Sequence, residues 1–275
     1  MIEPFDFVRM EERPLHFESH EGIMLGYGNV GKFKGIVNPE TEELVSVVGA
    51  GYKLEHNDEV FPKFEKAIEL SSLNTAGMTR DVSTSHGQGR TVVSYHFPEH
   101  RVSIKDGDEM DLTLTVLNSY DMSWRFRSIM GAFRLLCANG LILGDPLAEY
   151  SGKHTASLDT DRAIKDLGIA LEVYLQNADA LKEYPEIAIT PAQIDTVFGV
   201  ISKGSKKMLK TLDETFNNLY KEEMGSTLWA LYNTLTDWST HAKISNEANA
   251  PSIIINREER VRKVLPMLED IRLAA

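Results

Sequence analysis

The apolar residues of this chain change their period part-way along, and that change constrains the fold more than any other feature. Met110, Leu112, Leu114 and Val116 alternate with Asp111, Thr113 and Thr115. A period of two sets one face of a strand in a core and the other in water. Beyond Thr160 the spacing lengthens, and Ile164, Leu167, Leu171, Tyr174, Leu175, Ala178 and Leu181 fall on one helical stripe. Strands first and helices later imply an α+β fold, with antiparallel β-hairpins and one helix in the N-terminal half and a helical C-terminal half. The expected division is a β-rich core domain over 1–150 and a helical region over 151–275, packed on the first, with Gly152–Ser157 as the hinge candidate.

Turn chemistry supplies the boundaries. Lys32–Val37 and Leu44–Val48 flank Asn38-Pro39-Glu40-Thr41, and Met78–Thr84 and Thr91–Phe97 flank the loop Ser85-His86-Gly87-Gln88-Gly89-Arg90. Arg101–Lys105 and Met110–Leu117 flank Asp106-Gly107, a strong hairpin dipeptide. Val60, Phe64, Ala67, Ile68 and Ser71 predict a helix over His56–Leu70, with Asn57 or Asp58 as N-cap. Ser123–Cys137 is apolar enough for strand or helix, and periodicity does not choose between them. Thr190-Pro191-Ala192-Gln193 is a capping box with proline at the first helical position, and Gly204 ends the helix it opens. Helices follow over Lys206–Glu223 and Ser226–His241, and a last one over Arg257–Leu268 is interrupted near Pro266.

Composition narrows the function classes. The 275 residues carry 29 Lys+Arg against 41 Asp+Glu, a formal net charge of −12. A chain of this length buries enough surface to fold without disulfide or metal staples. No apolar run reaches a membrane span, the first residues are acidic where a signal peptide is basic, and Cys137 is the single cysteine. These features predict a soluble, cytoplasmic protein with no membrane association. Net acidity opposes a uniform coat on nucleic acid and leaves a local basic groove open. The acids concentrate over Glu40–Glu69 and in the Asp106–Asp111 loop, whereas Lys203, Lys206, Lys207 and Lys210 form the clearest basic cluster. Arg257, Arg260, Arg262 and Lys263 form a second, interleaved with Glu258 and Glu259. A solvated helix face is the simpler account of both.

Motifs that suggest catalysis do not carry it. Gly26-Tyr27-Gly28-Asn29-Val30-Gly31-Lys32 matches a phosphate loop through its lysine, but Phe33 stands where a magnesium-binding hydroxyl belongs. The following Phe33-Lys34-Gly35-Ile36-Val37 alternates like a strand instead of opening a helix. In His96-Phe97-Pro98-Glu99-His100 the paired histidines have zinc-hydrolase spacing, yet Pro98 keeps them off a helix and no third ligand is evident. Asp106–Asp111 lacks the twelve-residue calcium pattern and fits a solvated hairpin tip. Cys137, in Leu135-Leu136-Cys137-Ala138, fits a buried core thiol. The expectation is no enzyme, no cofactor and no metal.

Tyr120-Asp121-Met122-Ser123-Trp124-Arg125-Phe126-Arg127 combines rings with guanidinium groups. On a strand, Arg125 and Arg127 share one face and Trp124 and Phe126 the other. Rings that stack bases beside cations that hold phosphates make a single-strand binding groove; a half-buried strand with its rings in the core is the alternative.

The same region carries a family resemblance. Val116-Leu117-Asn118-Ser119-Tyr120-Asp121, followed by Phe133-Arg134-Leu135-Leu136-Cys137-Ala138-Asn139-Gly140-Leu141, resembles the N-S-H-D … R-x-x-C-x-N-G pattern of the domain-of-unknown-function 932 family, also called phage/plasmid-like proteins. Glu43–Val48 running into Gly51-Tyr52-Lys53-Leu54 and Glu59-Val60-Phe61 resembles the family's early strand, Y-K step and helix. Thr227–Asn233 with His241 resembles its late helix. Tyr120 stands where the family often has histidine, which bears on any role that needs an imidazole there. The resemblance implies an association with phage and plasmid replication or recombination. The strand-then-helix order is also similar to phage single-strand annealing proteins, a likeness of fold alone. The expected function is therefore single-stranded DNA binding, with strand annealing or recombination, by a homo-oligomer. Arg125, Arg127 and Arg134 would hold phosphate, Trp124 and Phe126 would stack on bases, and Lys203, Lys206, Lys207 and Lys210 would form a second positive rim. The alternative is an acidic interaction protein that modulates a host factor without nucleic acid; a third reading is a nucleotide-dependent enzyme built on Gly26–Lys32.

Overall fold

The computed structural model describes residues 4–15, 17–18, 24–25, 32–105, 108–134, 139–141, 149–165, 179–243 and 250–275. Two antiparallel sheets occupy the first half. In one, β1 (Glu11–Pro14), β4 (Phe33–Asn38) and β5 (Glu43–Gly49) lie in the order β1-β4-β5. In the other, β10 (Asn139–Leu141), β9 (Phe126–Arg134), β8 (Asp108–Ser119), β7 (Arg90–Lys105) and β6 (Thr79–Ser85) lie side by side, and β11 (Glu149–Gly152) pairs with β9. A short ladder joins β2 (Phe17–Glu18) to β3 (Met24–Leu25). The helices are α1 (Asn57–Leu70), α2 (Thr160–Lys165), α3 (Pro191–Ser202), α4 (Lys206–Thr215), α5 (Lys221–Met224), α6 (Leu228–His241), α7 (Ala250–Arg262) and α8 (Leu265–Ala274).

The chain forms two compact units. One comprises 1–96, 114–129 and 149–168, the other 97–113, 130–148 and 169–275. Strands β7, β8 and β9 each contribute residues to both. The first unit closes around Met10, Ile36, Val48, Tyr52 and Tyr120, and buries Val60, Phe61, Phe64 and Ile68 of α1. The second buries Val197, Phe198 and Ile201 of α3 and Leu228, Trp229, Leu231, Tyr232 and Leu235 of α6.

Local chemistry accounts for the element ends. At the β4–β5 turn, Asn38 Oδ1 accepts the backbone N–H of Glu40 (2.9 Å) and Thr41 (3.3 Å), and Glu42 takes a positive φ. The capping box is complete: Thr190 Oγ1 accepts Gln193 N at 3.3 Å, and Gln193 Oε1 accepts Thr190 N at 2.8 Å. Lys203 and Gly204 end α3 with φ of 48° and 80°. The helix expected over Lys206–Glu223 has a π turn at Phe216–Tyr220 between α4 and α5. The break near Pro266 is the step from α7 to α8, with Pro266 in the first turn of the latter.

Four expectations change. The strands expected at Thr91–Phe97 and Arg101–Lys105 are one strand, β7. Pro98 lies just past the last β6 partner, His96, where one side of β7 has no β6 neighbour to bond. The N-cap of α1 is His56, with no side-chain cap bond; Asn57 is inside the helix and turns its amide elsewhere. The second face of β8 is not wet: Asp111 and Thr113 are buried as well as Met110, Leu112 and Leu114, and Arg101 of β7 pairs with the Asp111 carboxylate. The Asp106–Asp111 run is not a solvated tip either. Asp106 and Gly107 lie outside the described residues, but Asp108 is fully buried and accepts the Trp229 indole N–H at 2.8 Å, while Asp111 pairs with Arg101 at 2.7 Å. Ser123–Cys137 resolves into strand from Phe126 to Arg134.

Candidate functional site

The Asn118-Ser119-Tyr120-Asp121 motif ends β8 and sits at the centre of a buried polar network in the first unit. The Asn118 amide donates to the Glu55 carbonyl at 2.7 Å and to Asn57 Oδ1 at 2.8 Å. Asn57 Nδ2 passes the chain on to Thr91 Oγ1 at 2.9 Å, and the Asn57 backbone N–H donates to the Tyr120 phenol oxygen at 2.8 Å. Tyr52 donates its hydroxyl to the Ser119 carbonyl at 2.5 Å, and Ser46 donates to the Tyr120 carbonyl at 2.6 Å. Burial raises the Tyr52 and Tyr120 phenols above their ordinary range, so both remain neutral donors and acceptors. Where the family often has histidine, this chain therefore uses a neutral phenol that receives the first N–H of α1.

The turn into β7 closes over the motif. The Tyr120 N–H bonds the Gly89 carbonyl at 2.7 Å, and Arg90 Nε bonds Asp121 Oδ2 at 2.6 Å. Asp121 Oδ1 accepts the Ser123 N–H at 3.0 Å and the Ser123 hydroxyl. Burial pushes the Asp121 carboxyl up, but the bonds from Ser123 and Arg90 outweigh it and hold the group below its usual range. Gly89 is required by close approach: a Cβ there would stand 2.7 Å from Val45 Cγ1 and 2.8 Å from the His86 carbonyl.

Beside this network lies a polar cleft of about 670 Å³, with Lys53, Lys63, Glu55, Glu59, Asp159 and Asp161 among its lining residues. Lys53 and Glu55 form an ion pair at 2.5 Å, and Glu59 is held by Arg9 at 2.6 Å. Much of the cleft's charge is thus already committed. His154, just before the loop that lines it, stacks on Tyr52 with ring centroids 4.9 Å apart. Burial pushes its imidazole down to about 4, against the opposing pull of the Lys53 carbonyl, so it is neutral at physiological pH. Among the described residues, no group of three or more His, Cys, Asp or Glu is placed to hold a metal ion. His96 instead meets Asp81 across the β6–β7 ladder at 3.1 Å.

The residues expected to bind DNA fall into two groups. In the first unit, Arg125 is exposed, but Arg127 is buried. Trp124 is enclosed, with the Arg90 guanidinium 5.9 Å from its ring. Phe126 is fully buried between Phe64 and Tyr150, at centroid distances of 6.1 and 6.3 Å. Neither ring presents a face to solvent. In the second unit, Lys203, Lys206, Lys207 and Lys210 are all exposed across the α3–α4 turn and the first turns of α4. Arg134 ends β9, and its side chain lies outside the described residues, as do Cys137 and Gly26–Gly31. Lys32 precedes β4 directly, so the glycine-rich run leads into a strand.

Sequence reasoning missed Tyr52, Asn57 and Arg90 as partners of the motif, and Thr91 and His154 as the residues that Asn57 and Tyr52 in turn contact. Only the Tyr52-Lys53 step gave a signal, through the family resemblance. The fold and its network define an α+β protein whose most recognisable motif is built into the core. The chain belongs to the family described as Domain of unknown function (DUF932), whose model matches residues 44–265. Comparisons with curated proteins and with solved structures find no match.

Proposed function

We propose that the chain is a phage- or plasmid-type DNA-metabolism protein that binds single-stranded DNA and, as a homo-oligomer, anneals complementary strands. Lys203, Lys206, Lys207 and Lys210 hold the phosphates. One observation carries this reading: these four cations are exposed together over 203–210 and left largely uncompensated, whereas several of the chain's other cations are spent on the fold. Arg9, Arg13, Lys34, Arg80, Arg90, Arg101 and Arg272 each pair with a carboxylate within their own unit. Of the quartet, only Lys210 meets an acid, Glu214 at 3.5 Å on the exposed helix face, and such a pair is weak. The α4 N-terminus adds backbone N–H groups of the same polarity, which favours an anion at this turn.

Because Trp124 and Phe126 are enclosed, binding rests on phosphate contact rather than on stacking. It is therefore independent of sequence and sensitive to salt. Arg125 is a separate contact to be tested singly. Fluorescence anisotropy of a labelled oligonucleotide over a salt series tests the proposal. Four phosphates neutralised give a slope of roughly −2.8 in log affinity against log salt, and a variant with all four lysines changed to Gln loses that slope. An absence of binding even at low salt overturns the proposal. Fluorescence quenching between complementary labelled strands tests annealing.

A further inference from the structure

We propose that β5 is a seam at which two copies of this chain pair edge to edge, antiparallel, about a two-fold axis. The β1-β4-β5 sheet has two unlike edges. The β1 edge reads Glu11-Glu12-Arg13-Pro14, charged and closed by proline, the composition that keeps an edge from recruiting another strand. The β5 edge reads Glu43-Leu44-Val45-Ser46-Val47-Val48-Gly49, with its one charge at the first position and no proline. Among the described residues, β4 is the only strand whose backbone bonds to Leu44–Val48.

The face beside this edge is apolar and open. The ladder sets Phe33, Gly35 and Val37 of β4 level with Gly49, Val47 and Leu44 of β5. Phe33, Val47 and Leu44 are 55%, 42% and 56% exposed. Leu44 leans over Gly35, where its Cδ1 stands 3.1 Å from the place a Cβ would occupy. The irregularity between Ile36 and Val37 gives β5 its extra residue, Val45, which packs on Gly89 and leaves Leu44 and Val47 facing out.

Charge names the occupant and its direction. Glu40 and Glu43 lie at the start of β5 and form no ion pair among the described residues. Lys32 is exposed at the far end, where its carbonyl accepts Ala50 N at 2.9 Å, and it too has no acid partner among them. An antiparallel second copy brings the acidic end of each strand to Lys32 of the other; a parallel one sets acid against acid. The register that places Val47 opposite Leu44 of the second copy makes two symmetric apolar cross-strand pairs and extends the open face across the seam. A β5 seam is independent of nucleic acid, since the lysine quartet lies in the other unit.

Sedimentation velocity of the full chain without DNA tests this over a concentration series. The wild type forms a concentration-dependent dimer. Val47→Lys raises its dissociation constant at least about tenfold by adding an edge charge, and Val82→Lys, at an exposed position on β6, leaves it unchanged. Glu43→Lys weakens pairing, and adding Lys32→Glu to it restores pairing. A wild type that stays monomeric at about 0.1 mM, or a dimer that Val47→Lys leaves intact, overturns the proposal. Should Val47→Lys lose its cooperative thermal transition, the charge swap between two exposed positions decides, and failure to restore the dimer overturns it. The variant with all four lysines changed to Gln still dimerises, which separates failure of the seam from failure of DNA binding.

Discussion

Helices α1 and α4 begin with opposite charges. The first turn of α1 carries Asp58 and Glu59, which complement the positive end of the helix and are held by Arg9 at 2.8 and 2.6 Å. The first turn of α4 carries Lys206 and Lys207, with Lys203 just before it and no acid. A cation at a helix N-terminus is worth a few tenths to about 1 kcal/mol of destabilisation. Thus α1 is arranged for stability, whereas α4 holds a charge pattern that stability alone opposes. The Asn118 amide N–H groups and the acids at the start of α1 are committed to internal partners; the lysines at the α3–α4 turn face outward. Four predictions bear on that contrast.

The largest effect is expected at Asn118, which is almost fully buried. Asn118→Leu leaves the Glu55 carbonyl and Asn57 Oδ1 without their donor, at about 1–3 kcal/mol each, or roughly 4 kcal/mol in all. Urea unfolding measures this loss. The folded fraction should bind an oligonucleotide as the wild type does; weakened binding by that fraction would break the contrast.

The next largest concerns pH. The fold holds His154 neutral with its imidazole at about 4, whereas an unfolded histidine titrates near 6.5. Between those values the unfolded chain takes up a proton that the fold refuses. Stability through this group is full above about pH 6.5 and falls as the pH drops toward 4, by about 3 kcal/mol at most. His154→Phe keeps an aromatic ring against Tyr52 and removes the proton site, so its unfolding free energy should fall less over that range. Equal slopes for the two proteins would show that the imidazole titrates freely.

Third is Arg90→Met. It removes the 2.6 Å bond to Asp121 and leaves a partly buried carboxylate with only its Ser123 partners. The expected cost is about 2 kcal/mol, between the values for exposed and buried pairs. Thermal unfolding should report it, and the salt slope of DNA binding should not move.

The parts of this picture that sequence makes legible are those set by neighbours along the chain. Thr190 and Gln193 lie three residues apart, and their spacing alone describes the cap they form. The Asn38 turn and the Lys203-Gly204 helix end are local in the same way. The parts that stayed hidden depend on distant partners. Asn57 looked like an N-cap because its amide can serve one, but Asn118, 61 residues on, claims it. Asp108 looked wet because it follows a hairpin dipeptide, and Trp229 is 121 residues away. Pro98 looked like a strand break because spacing does not show that β6 ends beside it. Trp124 and Phe126 had the composition of a stacking surface; whether anything covers them is decided by Arg90, Phe64 and Tyr150.

The smallest effect is the sharpest test, because its two readouts have opposite signs. Lys206 occupies the first position of α4, immediately after the Ser205 N-cap whose side chain accepts Met208 N at 3.3 Å. Lys206→Glu replaces a charge that the helix N-terminus repels with one that it attracts, and it leaves the cap bond in place. Stability should rise by about 0.5 kcal/mol, readable as a small increase in Tm. Affinity for single-stranded DNA should fall, with the salt slope shallower by about 0.7, the share of one phosphate on a single strand. At Arg90 the signs are the other way about: losing the cation costs stability and spares binding. A Lys206→Glu protein that is both less stable and unchanged in binding would mean that the α4 lysines, like the arginines of the first unit, belong to the fold.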